Sequence, residues 1–298
     1  MNDTSSSTWS ADRASIDHAL AALAEGLGPD VEPSVAKAIR YSLLGGGKRL
    51  RGLLFLAAYR TAGGSRDASA LAAAVEVVHA YSLVHDDLPC MDDDDMRRGR
   101  PTVHRVYGVK AATAAGVAMV PLAASAGFSA ARALGLGATE CGRVVATLMR
   151  ASGAGGMIGG QLLDLEGEGK PLSIDELERI HRAKTGALIS ASIELGGIAA
   201  SASESRIAAL RDFGMAIGLA FQIADDVLDV TATTDRLGKT AGRDLDLQKS
   251  TYPALLGVDA ARQRADQLVD EGCAGLRAAG LLSTELDALA RFVVERES

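Results

Sequence analysis

From Ala68 to His85 the chain is apolar on every side, with Glu76 its one formally charged residue. A helix with no polar face has to be surrounded by other helices, so this segment predicts the central rod of a multi-helical core. It runs straight into acid. Asp86, Asp87, Asp92, Asp93, Asp94 and Asp95 fall within ten residues and are followed by Arg97, Arg98 and Arg100. Pro89 cannot continue a helix, so the helix should end or distort just after Asp87 and swing Asp92 back toward the cavity that Asp86 faces.

Most of the remaining chain has a helical period, with alanine, leucine and glutamate dominant and little β alternation, which predicts an all-α fold. At 298 residues, 48% hydrophobic and 23% charged, a single domain spanning 1–298 is expected, with a short flexible N-terminal extension. Helices are expected at Ile16–Leu27, at Pro33–Leu44 with Pro33 in the first turn, from Leu50 until Gly63-Gly64, and at Ser205–Val230. Glu140–Leu165 reads as one long helix whose glycines fit neither the dinucleotide nor the phosphate-loop spacing and suit close helix packing. Near Lys48, Ser42 and Arg49 also break the phosphate-loop pattern. Ser173 and Glu176 form a capping box, and the helix carrying Lys184 and Thr185 follows.

The formal charge of −7 argues against nonspecific binding to nucleic acid. Three scattered cysteines suit a reducing compartment, and the polar first fifteen residues show no secretory signal, so a cytoplasmic location is expected. Ala111–Ala131 carries no charge, but it is built of alanine and glycine around Pro121. A buried helix, bent or interrupted at Pro121, is expected there rather than stable membrane insertion.

A second acidic group, Asp225, Asp226 and Asp229, again closes an apolar run. Asp225 and Asp229 are four apart and share a helix face, with Asp226 to the side. Helix C-termini do not favour anions, so two such clusters facing one cavity call for bound cations. Oxygen-only donors point to magnesium, with manganese as a substitute, and not to zinc. Lys48 and Arg51, three apart on a shared helix face, and Arg97 with Arg98 supply phosphate-binding groups.

These motifs resemble the short-chain trans-prenyl diphosphate synthases, most closely the bacterial farnesyl diphosphate synthase type. The resemblance runs from about Gly45 to Gly257 through GGGKRLR, DDLPCMD, DDDMRRGRPT, GGQLLDL, HRAKTGAL, FQIADD, DDVLD, LGKTAGRD and QKSTYPALLG. It implies an isoprenoid synthase fold, a helical bundle around a deep central cavity, usually as a homodimer. It implies head-to-tail transfer from dimethylallyl or geranyl diphosphate to isopentenyl diphosphate, with three magnesium ions around the allylic diphosphate.

By the same resemblance Asp86, Asp87 and Asp92 bind metal from one wall, Asp225 from the other, and Asp226 and Asp229 support it. Arg97, Lys184 and Lys239 hold the allylic diphosphate, whereas Lys48, Arg51, His79 and Arg98 hold isopentenyl diphosphate beside Phe221. Thr185 and Gln222 steady the carbocation, and Gln161 with Asp164 faces the cavity. Lys184, Thr185, Gln222 and Lys239 form the implied catalytic set.

Tyr81 lies about 7.5 Å and about 140 degrees from Asp86 on the helix, so its ring flanks or floors a hydrocarbon pocket only if that side faces the cavity. The resemblance makes Tyr81 the limit on product length, with the adjacent Ser82 too small to serve. Geranylgeranyl or another short-chain synthase is the nearest alternative, ahead of a terpene cyclase or a noncatalytic relative. Gly52 departs from the family's frequent proline, and the acidic Val293–Ser298 tail lacks the basic end of some relatives.

Overall fold

The computed structural model describes residues 3–231 and 249–295. Its helices in chain order are α1 (Asp3–Glu25), α2 (Pro33–Leu43), α3 (Leu50–Thr61), α4 (Ser69–Asp86), α5 (Val103–Tyr107), α6 (Val109–Ala133) and α7 (Ala138–Ser152). There follow α8 (Met157–Gly167), α9 (Ile174–His181), a π-helical turn at Arg182–Gly186, α10 (Ala187–Ala199) and α11 (Glu204–Thr231). The chain returns as α12 (Tyr252–Leu256), α13 (Val258–Ala278) and α14 (Thr284–Glu295). Met96–Arg97 and Arg100–Pro101 form a two-residue antiparallel pair, so the all-α expectation holds apart from this hairpin.

Helix α4 is the buried rod that its composition predicts, packed on α1, α3 and α6. Even Glu76 is buried, where it accepts from Gly52 N at 2.9 Å and faces Arg49 at 4.0 Å. Helix α11 is the second axis, held between α10 and α13. Both axes carry their acids toward their C-terminal ends.

Several local expectations need correction. The first helix starts at Asp3 and not at Ile16, and the stretch expected to be an extension is in part packed: Trp9 stands edge-on to Phe292, and Asp12 pairs with Arg60. Glu140–Leu165 is two helices, because Gly153 turns extended at the end of α7 and Gly156 leaves helical geometry before α8. Helix α6 runs unbroken through Pro121, and it is buried on one face only, with Val117 60% and Phe128 45% exposed. Pro121 lies on the exposed face.

The Ser173 capping box forms as expected, with Glu176 N donating to Ser173 Oγ and Ser173 N to Glu176 Oε2. By length and hydropathy α6 and α11 could each cross a membrane, but α11 is mostly buried within the fold.

Candidate active site

Helix α4 ends where its sequence says it must. Asp87 caps it, and the backbone then folds back so that Asp92 N donates to Asp86 O at 2.8 Å. That return places Asp86 and Asp92 in the wall of one cavity of about 670 Å³. Asp225 and Asp226, from α11, line the same cavity. Asp87 instead is buried, accepting from Arg97 Nε at 2.6 Å, and borders a smaller adjoining cavity of about 60 Å³. Asp229 is buried one turn beyond Asp225 and is not among the described lining residues.

Asp226 is fixed from two sides. Its Oδ2 lies 3.1 Å from His181 Nε2 and accepts from Tyr252 N at 3.0 Å, while Tyr252 OH donates to Glu178 at 2.5 Å. The His181 and Tyr252 rings stack, so α9, α11 and α12 are tied together through one carboxylate. His181 lines the cavity, yet sequence reasoning gave it no role although it heads the HRAKTGAL segment.

The basic groups share this cavity with the acids. Lys48, Arg51, His79, Arg97, Arg98 and Lys184 all line the large cavity. Lys48 and Arg51 do not share a helix face, however: α3 begins at Leu50, and Arg49 before it is left-handed, with φ 54°. Arg49 turns inward, donating to Asp17 at 2.7 Å and to Leu43 O at 3.0 Å, and so anchors the segment that presents its two neighbours. Gly47, at φ 139°, takes a conformation that disfavours a side chain, and a Cβ there would fall 2.6 Å from Arg98 Nη1. Arg98 donates to Gly46 O. The departure at Gly52 has a local reason too, since its N–H bonds to Glu76 and proline has none to give.

Burial and the arginines around it, Arg51 and Arg98 foremost, push the His79 imidazolium well below its ordinary pKa, so the ring is neutral. Its Nδ1 has no hydrogen-bond partner. Burial pushes Asp86 up to about 6, against Lys184, with Asp92 adding to the rise. Asp164 moves the other way: burial would raise it, but Lys184 at 2.7 Å and Lys249 at 2.9 Å hold it down at about 2. Lys184 is raised in turn by Asp164, Asp86 and Asp92 despite its burial.

Thr185, Gln222, Phe221, Gln161 and Ser82 line the cavity as well. Lys184 and Thr185 sit on the π-helical turn, an irregularity that re-aims side chains at functional sites. Gln161 is 7% exposed, and neither atom of its carboxamide has a partner, so a buried polar group is turned into the cavity. Tyr81 is 3% exposed and not among the described lining residues. Its hydroxyl donates to Ser152 O at 3.4 Å, linking α4 to the end of α7, and its ring stands edge-on to His85 on its own helix. Lys239 lies outside the described residues. Lys249, Arg49 and Arg13 also line the cavity; none was singled out from sequence, although Lys249 and Arg49 fall within the QKSTYPALLG and GGGKRLR segments.

The donor set fits a hard divalent cation, since the side chains that could reach one from the two walls are carboxylates. Among the described residues no three of them converge on one point, and the ammonium groups of Lys184 and Lys249 both pair with Asp164. Acids and basic groups around one cavity, with Leu50, Leu83, Met157 and Phe221 among its lining, suit a substrate with an anionic head and a hydrocarbon tail.

Residues 32–275 match the polyprenyl synthetase family model, and the chain belongs to that family. It is a short-chain prenyl diphosphate synthase, a prenyltransferase of all-α isoprenoid synthase fold. The farnesyl diphosphate synthase of Escherichia coli (strain K12) is 46% identical over 267 residues, 88% of this chain and 89% of that one. That of Bacillus subtilis (strain 168) is 41% identical over 87% of each chain. A chloroplastic geranylgeranyl pyrophosphate synthase of Catharanthus roseus is 45% identical over 78% of this chain and 66% of its own. Among solved structures, an FPP/GFPP synthase from Zymomonas mobilis superposes with TM-score 0.83 at 32% identity, covering 100% of both chains. A Helicobacter pylori geranyltransferase complexed with magnesium and isoprenyl diphosphate gives 0.82 at 30% identity, covering 99% of this chain and 97% of that one. The family is magnesium-dependent.

Proposed function

We propose that this enzyme is a farnesyl diphosphate synthase, adding isopentenyl diphosphate head to tail to dimethylallyl and then geranyl diphosphate. The observation that carries the reading is the single cavity with Asp86 and Asp92 on one wall, Asp225 on the other and Lys48, Arg51 and Arg98 beside them. Asp86, Asp92 and Asp225 would hold magnesium, as three ions, which would neutralise the allylic diphosphate and make it a better leaving group. Manganese serves as a substitute. Asp87 acts through its ion pair with Arg97, and Asp226 braces the second wall through His181 and Tyr252.

Arg97, Lys184 and Lys239 hold the allylic diphosphate, and Lys48, Arg51, His79 and Arg98 hold isopentenyl diphosphate beside Phe221. Neutral His79 binds as a hydrogen-bonding group and not as a cation. The carbon–oxygen bond of the allylic substrate breaks, and the isopentenyl double bond attacks the cation. The departing diphosphate then takes the proton. Thr185 and Gln222, which line the cavity, steady the cation, and closure of the cavity keeps water away.

The fifteen-carbon limit rests on the likeness to bacterial farnesyl diphosphate synthases over most of the chain; Tyr81, which is not among the described lining residues, would act on length only from behind the wall, through its contact with Ser152. A geranylgeranyl product is the second reading, favoured by the plant relatives of nearly equal identity. The enzyme acts in the cytoplasm as a homodimer, with the apolar stripe of Val117, Pro121 and Phe128 on α6 as the contact. Chromatography of products made from isopentenyl diphosphate with dimethylallyl, geranyl or farnesyl diphosphate tests the assignment. Farnesyl diphosphate should accumulate, and its conversion to a twenty-carbon product as the main reaction would overturn the chain-length claim.

A further inference from the structure

Lys249 is the first described residue after the 232–248 segment, and its mount is stiff. Ser250 Oγ accepts from Leu172 N at 3.2 Å and donates to Lys170 O at 3.1 Å, Thr251 caps α12, and Tyr252 N is bonded to Asp226. From that anchored backbone the Lys249 ammonium reaches Asp164 at 2.9 Å, Glu168 at 3.4 Å and Asp92 at 3.8 Å. It therefore joins α8 to the first aspartate-rich motif.

The arms of this contact are unequal. Asp164 Oδ2 is shared with Lys184 at 2.7 Å, so two like charges crowd one oxygen and Lys249 is held less firmly than three acids suggest. The long arm ends on Asp92 Oδ1, which is buried and has no hydrogen-bond partner. A lysine is a compact charge on a flexible stem, so it can leave such an oxygen without moving the backbone.

We propose that Lys249 is a built-in counter-cation of the acid cluster, which competes with divalent metal for Asp92 and is driven off Asp92 when metal binds. The inference rests on the reading that Asp86 and Asp92 are metal ligands. Its physical basis is reciprocity: whatever Lys249 does to metal affinity, metal does to the hold on Lys249. The ammonium thus relieves carboxylate repulsion within the cavity.

Manganese binding to the full-length protein, followed by the paramagnetic resonance of free Mn2+ with no diphosphate added, gives the test. Lys249→Gln should bind Mn2+ about tenfold tighter than wild type, whereas Lys249→Arg, which keeps the charge, should stay near it. Acetylation of wild-type Lys249, read by mass spectrometry, should accelerate on adding Mn2+; this arm needs no variant to fold. Unchanged or weaker Mn2+ binding by Lys249→Gln, or labelling indifferent to Mn2+, would overturn the proposal. Asp86→Asn separates the two ideas. Loss of Mn2+ binding there with no effect of Lys249→Gln sinks the counter-cation alone, whereas wild-type binding by Asp86→Asn sinks the metal site and the counter-cation with it.

Discussion

Tyr81 shows what one residue can decide. Its ring lies against His85 and its hydroxyl on Ser152 O, so it links α4 to the end of α7 and is not exposed to the large cavity. Tyr81→Ala should break that link: products longer than fifteen carbons should appear by chromatography, at a cost of about 3 kcal/mol in folding stability. An unchanged farnesyl-only profile would remove Tyr81 from chain-length control.

Asp164 carries the clearest pH signature. Its folded pKa of about 2 lies below the ordinary 3.8, so its ion pairs add stability that is complete above about pH 5 and is lost as pH falls through 2. The size is about 2 kcal/mol. Asp164→Asn should therefore lower urea-melt stability by about that amount at pH 6, with the gap shrinking to about half by pH 3. A gap that is constant with pH would contradict the pairing.

Elements explain which residues were legible. The end of α4 could be read because Pro89 and the acids mark it, and the return of Asp92 toward Asp86 follows from the same proline. The inward turn of Arg49 was not legible. Counting along an ideal helix puts Lys48 and Arg51 on one side, but the left-handed residue between them breaks that phase, and only long-range partners, Asp17 and Leu43, reveal it. The partners of Lys249 were not legible for a similar reason, since its three acids are distant in sequence.

The α7–α8 break was missed because a helical apolar pattern continues across glycines that in fact end one helix and start the next. Their packing role was legible. A Cβ on Gly160 would fall 2.1 Å from Lys184 N, so α8 presses directly on the π-helical turn. Gly160→Ala should cost about 1–3 kcal/mol in thermal or urea melts and displace Lys184, so turnover should fall by more than the unfolded fraction explains. A wild-type melt would refute this contact.

At the scale of the whole molecule, two acid-ended helices more than a hundred residues apart in sequence meet across one cavity. The all-α class and this pairing were readable from composition and motif order, whereas the half-exposed face of α6 was not, because its charge-free stretch from Ala111 to Ala131 looks the same whether a core or another surface covers it. The proposed homodimer predicts that Val117→Glu together with Phe128→Glu shifts the protein from dimer to monomer in sedimentation velocity. A wild-type sedimentation coefficient in the variant would contradict α6 as the dimer contact.

The central claim is that Asp86 and Asp225 act from opposite walls on one magnesium-bound diphosphate. Steady-state diphosphate release from geranyl and isopentenyl diphosphates, measured for Asp86→Ala and Asp225→Ala alongside their thermal melts, tests it most directly. The account predicts a fall in kcat of about 10²–10³-fold or more in each variant, with melting close to wild type. Near-normal turnover in either folded variant would contradict it.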